Sequence, residues 1–150
     1  MSGCPSPHRV ALATLIASTV VTLSAPLRAE PQESLLVARW GVDDGLPQSS
    51  VTDMVQTRDG YLWVATFGGL ARFDGLRFVV YDMANTPSLV GNRFLALHEA
   101  PSGDLWIGCE EGGALRHRAG HFTHIPVVDA AGTALPVGEI ATDRDGVVWL

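Results

Sequence analysis

Lysine is absent: all ten basic residues of this 150-residue chain are arginine. That excludes Schiff-base chemistry, the phosphate contact of a P-loop and any lysine general base. Positive charge is scarce overall. The ten arginines face 16 acidic residues, for a formal net charge of -6. A nucleic-acid backbone would be repelled by that balance, so no nucleic-acid partner is expected. No basic amphipathic stretch is present to lie on a membrane surface. Cysteine is limited to Cys4 and Cys109.

Cys4 falls in a segment unlike the rest. His8 and Arg9 give a weakly positive start, and an apolar run follows from Val10 to Leu23. Pro26, Leu27, Arg28 and Ala29 then precede Glu30. This is the layout of a secretory signal peptide over residues 1–29, cleaved after Ala29. The run is short for a membrane span, which needs ~20 apolar residues. Its removal leaves Cys109 alone, so no internal disulfide can form in an oxidising compartment. Cys109 reads as a small, buried or half-buried residue. The expected location is periplasmic.

Catalytic signatures are missing as well. There is no Gly-x-Ser-x-Gly elbow, no His-Glu-x-x-His and no Walker sequence, so no catalytic residue is assigned. His117, His121 and His124 cluster around one turn. His121 and His124 are three apart on an expected strand, which places them on opposite faces, so they read as part of a polar outer strand. Asp143-Arg144-Asp145-Gly146 begins like a calcium loop, but Val147-Val148-Trp149 replaces its remainder. Neither a metal nor any other cofactor is expected.

What the sequence does have is a repeat. Trp63, Trp106 and Trp149 are spaced 43 residues apart. Each follows a polar turn with glycine at one fixed place: Gly60, Gly103 and Gly146. A period of about 40–45 residues is that of a propeller blade. The segments between are strands, not helices. Val51–Gln56 and Phe94–Glu99 are short and apolar, and Leu62–Ala65 and Leu105–Gly108 are continuously apolar, as strands covered on both faces should be. Leu70–Phe73 and Ala114–His117 form third strands. Arg77–Tyr81 and His121–Ile125 form fourth ones. No sustained 3.6-residue periodicity follows Glu30. The fold class is therefore all-β, with blades of four antiparallel strands. Two complete blades are expected, with the start of a third. Leu35–Trp40 reads as a lone strand that would close the ring, with Trp40 near the place of Tyr81. The three repeated tryptophans read as structural, each filling the wedge between one blade and the next and burying ~150–250 Å².

Several strings are similar to the two-component regulator propeller family. Asp43-Asp44-Gly45-Leu46-Pro47-Gln48-Ser49-Ser50-Val51 resembles its leading loop. Asp59-Gly60-Tyr61-Leu62-Trp63-Val64-Ala65-Thr66, then Gly69-Leu70-Ala71-Arg72-Phe73-Asp74-Gly75, resembles its blade core. Asn85-Thr86-Pro87 and Asn92 fit its long connector. The second repeat departs at Glu110-Glu111-Gly112-Gly113-Ala114-Leu115-Arg116-His117, with one extra residue and no Phe-Asp-Gly. The resemblance spans Trp40 to Leu150. It implies an extracytoplasmic sensor module. Members carry further blades, an immunoglobulin-like domain, a membrane helix and a cytoplasmic output, commonly a histidine kinase and sometimes a diguanylate cyclase. On that reading residues 30–150 are the N-terminal part of a truncated propeller sensor domain whose full-length form is anchored in the inner membrane. Such an open stack of about two blades, where propellers have about 4–8, is expected to be marginal or aggregation-prone.

A ligand would meet the loops at one end of the blades, because connectors between blades and turns between second and third strands share a face. Asp43, Gln48, Arg93, Glu110 and Glu111 are the candidate ligand-binding residues there. A small molecule or an oligosaccharide is the expected ligand. The missing blades, a membrane-linked output domain and a second copy of the chain are the other expected partners. The alternatives are a propeller enzyme of lyase or glycosidase type and a structural, protein-binding propeller.

Overall fold

The computed structural model describes residues 37–150. The leader expected over residues 1–29 lies outside the described residues, as do Leu35 and Leu36. A short 3-10 turn, Val42–Asp44, precedes ten strands: β1 (Val51–Gln56), β2 (Leu62–Thr66), β3 (Leu70–Phe73), β4 (Phe78–Tyr81), β5 (Phe94–Glu99), β6 (Leu105–Cys109), β7 (Ala114–Arg118), β8 (His121–Ile125), β9 (Ala141–Thr142) and β10 (Val148–Trp149). They form antiparallel sheets in the order β1-β2-β3-β4, β5-β6-β7-β8 and β9-β10. These are two whole blades and the inner hairpin of a third, as the repeat requires. No described helix is long and apolar enough to cross a membrane.

Local chemistry explains the strands. Each first hairpin turns through the repeated glycine, with φ of 92° at Gly60, 83° at Gly103 and 83° at Gly146. Those values lie in the left-handed region that only glycine enters at little cost. The neighbouring side chains lock the turns. Thr57 Oγ1 donates to Asp59 Oδ1 at 2.6 Å, and Asp143 Oδ1 accepts the amides of Asp145 and Val147 at 3.0 and 2.9 Å. Asp74 Oδ1 caps the β3–β4 turn by accepting from Leu76 and Arg77 at 2.8 and 2.9 Å. These amide contacts hold the Asp74 carboxyl below its usual range.

Packing joins the blades. One face of the first sheet presents Trp63, Ala65 and Leu70, and the facing side of the second presents Leu105, Ile107, Cys109 and Leu115, in one buried core. The other face of the first sheet carries Leu46, Val64 and Ala71, with Leu62 and Phe78 against them. Trp63 is only 2% exposed and stacks on Tyr81 at 5.5 Å between ring centroids. The innermost strands are also tied polar to polar. Thr52 Oγ1 donates to the Phe94 carbonyl and Asp53 Oδ2 accepts from the Leu97 amide, both at 2.7 Å. These bonds bridge β1 and β5, near the register irregularities at Val51/Asp53 and Phe94/Ala96.

The repeat position alone does not fix burial. Trp106 is half-buried and Trp149 is 63% exposed. Trp106 looks toward the third blade, of which only the inner hairpin is described. Its Nε1 and the Nε of Arg116 are buried without a hydrogen-bond partner among the described residues. The strand expected over Leu35–Trp40 is not formed by Val37–Trp40. A strand exists by its ladder, and no described strand pairs with this segment. Trp40 nevertheless packs on Phe73 at 4.7 Å and Phe78 at 6.2 Å. Those two rings match His117 and Phe122 of the second blade in register, so Trp40 caps the first blade much as Tyr81 caps the second.

Candidate functional site

The connectors and the second-to-third-strand turns meet at one end of the blades. Pro47 and Gln48 of the leading loop lie on the β2–β3 turn. A Cβ on Gly68 would come within 3.2 Å of Gln48 Cβ and 3.3 Å of the Pro47 carbonyl oxygen, so glycine permits this approach. Phe67, in the same turn, is half-buried, and the Arg93 guanidinium lies 4.3 Å above its ring centroid. Arg93 also pairs with the Glu110 carboxylate of the β6–β7 turn. The Glu110 amide donates to the Arg93 carbonyl at 3.0 Å, which fixes the two backbones as well. Glu111 lies over Gly91 of the connector.

Four of the expected residues therefore fall along one track. Gln48 sits against Gly68, Phe67 supports Arg93, Arg93 holds Glu110, and Glu111 follows over Gly91. Asp43 stands apart from that track. It lines a cleft of about 500 Å³ with Arg39, Trp40, Gly41, Asp44 and Ser49. In that cleft Asp44 Oδ2 accepts the Gly41 amide at 2.8 Å. Phe67 was not singled out by sequence reasoning. An aromatic residue at the tip of a turn otherwise made of small residues was the signal available.

The connector is internally braced. Asp82 Oδ1 accepts from Ala84 and Asn85, both at 2.9 Å, and Asn92 Oδ1 accepts from Met83 at 2.8 Å. The corresponding connector after the second blade, 126–139, is tied to the β6–β7 turn through the backbone. Gly113 donates to Leu135 at 2.8 Å and Val137 to Cys109 at 3.1 Å, closing the β6–β7 turn from above. Hydrogen bonds thus brace the loop platform at both blades.

A second cleft, also about 500 Å³, opens at the inner strands between Asp53, Leu97, Glu139, Ile140 and Trp149. Asp53 is already used there: its two oxygens accept backbone amides of Met54 and Leu97 at 2.7 Å. Cys109 is buried, and that burial pushes its thiol up to about 12, so it holds no thiolate near neutrality. The three clustered histidines diverge. His124 Nε2 meets the Gly112 carbonyl and His121 Nδ1 the Ala119 carbonyl, each at 3.0 Å. His117 packs into the joint between the blades, contrary to its reading as part of a polar outer strand.

Comparison with known proteins agrees with this architecture. The family model described as "Two component regulator propeller" matches residues 45–68, from the leading loop to the β2–β3 turn. A "Histidine kinase P4" from Formosa agariphila is 55% identical over 38 residues, covering 25% of this chain and 3% of that protein. The extracellular domain of a protein described as a hybrid two-component system from B. thetaiotaomicron superposes with a TM-score of 0.56 at 26% identity. That superposition covers 69% of this chain and 14% of the other. The chain thus spans a small part of either protein. The 43-residue repeat and the four-stranded blades agree with these likenesses, and residues 45–68 are similar to a two-component regulator propeller repeat.

Proposed function

We propose that this chain is the input part of an extracytoplasmic sensor. It binds a small molecule or oligosaccharide at the loop end of its blades and catalyses nothing itself. The supporting observation is the track Gln48–Phe67–Arg93–Glu110–Glu111 on hydrogen-bonded connectors. It presents a guanidinium, held over Phe67 and beside Glu110, and a further carboxylate at Glu111, on a scaffold of paired strands. The likeness to the extracellular part of a hybrid two-component system supports the placement outside the cytoplasm. The histidine kinase likeness favours a kinase over a cyclase as the output. Under this reading the signal leaves through further blades and a membrane-linked domain.

The test is a thermal-shift screen of the purified chain against neutral and acidic oligosaccharides and small polar metabolites. A hit should raise the unfolding midpoint, and Arg93→Ala should weaken it at least tenfold in titration. Steady turnover of the hit compound would replace this reading with a propeller enzyme. Saturable binding that Arg93→Ala and Glu111→Gln both leave untouched would move the site elsewhere.

A further inference from the structure

His117 stands in the joint between the two blades. It projects from β7, opposite Phe122 on β8 and Leu105 on β6. Its ring lies 5.0 Å from Trp63 of the first blade and 4.7 Å from Phe122. Phe122 in turn meets Trp63 at 6.4 Å and Tyr81 at 5.2 Å. The imidazole is therefore one ring of a cluster of tilted and edge-on aromatic rings that spans the joint. Neither of its nitrogens has a hydrogen-bond partner among the described residues, whereas His98, His121 and His124 each bond through one ring nitrogen. A cation is already present. The Arg72 guanidinium of β3 covers the Tyr61 ring at 4.3 Å and the Trp63 ring at 5.8 Å.

The charged and titratable groups around His117 come from every element packed on it. Arg72 (β3) and His121 (β8) oppose a second positive charge, and Asp59 in the β1–β2 turn favours one. Glu99, on β5 across from Leu105, is engaged by the Arg58 amide at 3.1 Å. Tyr61 and Tyr81 contribute aromatic rings. Burial is the largest influence and opposes protonation, so the imidazole is held below its usual value of 6.5.

We propose that the joint between the first two blades is a proton-responsive contact: neutral His117 completes the aromatic cluster, and its protonation loosens the blades from one another. The linkage has a definite sign. A base whose folded affinity for protons is lowered leaves stability intact above about 6.5 and erodes it as pH falls below that value, where the unfolded chain takes up the proton first. The loosened contact changes the angle between blades, and the loop track crosses that same joint where Arg93 lies over Phe67. The inference does not depend on the track binding a ligand.

The first blade supplies the control. Its residue at the same register position, opposite Leu62 as His117 is opposite Leu105, is Phe73. The experiment compares the whole chain with His117→Phe. The wild type should lose several degrees of unfolding midpoint between pH 7.5 and 5.5, and its tryptophan emission should change with a midpoint below 6.5. His117→Phe should remove most of both responses. Equal loss in the two proteins would overturn the proposal. If His117→Phe does not fold, the imidazole resonances of His117 in the wild type decide it. Titration below 6.5, with the Trp63 indole shifting in step, supports the proposal, and titration at or above 6.5 refutes it.

Discussion

Trp63 and Trp149 hold the same place in the repeat and differ in almost everything else. Trp63 is sealed by Tyr81, His117 and Phe122, while Trp149 is mostly exposed, its Nε1 donating to Asp143 Oδ2 at 2.9 Å. Removing a large buried ring from a packed core costs about 3–5 kcal/mol. Exposed substitutions stay within about 0.5 kcal/mol. Trp63→Ala should therefore lower urea-unfolding stability by about 3–5 kcal/mol and Trp149→Ala by less than about 1, the lost Asp143 contact included. Similar losses for both would mean that the third hairpin is packed in solution. The position of these residues was legible in the sequence because spacing is a property of the chain. Their burial was not, since it depends on what lies across the wedge.

The strands themselves were legible almost to the residue. Val51–Gln56, Leu70–Phe73, Phe94–Glu99 and His121–Ile125 match the expected limits, and β2, β6 and β7 each run one residue further. Turn glycines and apolar runs are local signals, so the sequence carries them openly. The connector 126–139 is different. Its hold on the β6–β7 turn rests on backbone bonds between Gly113 and Leu135 and between Val137 and Cys109, and no side-chain pattern encodes those. One trace does remain. The blade-one position Ala65 becomes Gly108 in the second blade, because a Cβ there would collide with the Val137 carbonyl. Gly108→Ala should accordingly destabilise the chain by about 1–3 kcal/mol, as overpacking does. Ala65→Gly, which opens no such clash, should cost about 0.5–1 kcal/mol. Denaturant midpoints of the two variants check the asymmetry. A neutral Gly108→Ala would mean that the connector yields freely.

At the scale of the whole molecule, what the sequence could not supply is which loops touch. Gln48, Arg93, Glu110 and Glu111 were expected on one face, and the blades bring them into a track. Asp43 falls in a separate cleft because the 3-10 turn carries it toward Trp40. The same assembly leaves apolar surface open at both ends of the stack. Met54 is 60% exposed on the outer face of the first blade, and Trp40, Trp149 and Leu150 are also uncovered. Blade faces evolved to meet other blades are flat and complementary, and uncovered repeat ends associate. The described unit should therefore self-associate as concentration rises, seen as an increasing weight-average mass in sedimentation velocity. Met54→Gln should weaken that association if the first blade's outer face is the surface used. A constant monomer mass at all concentrations would overturn this expectation.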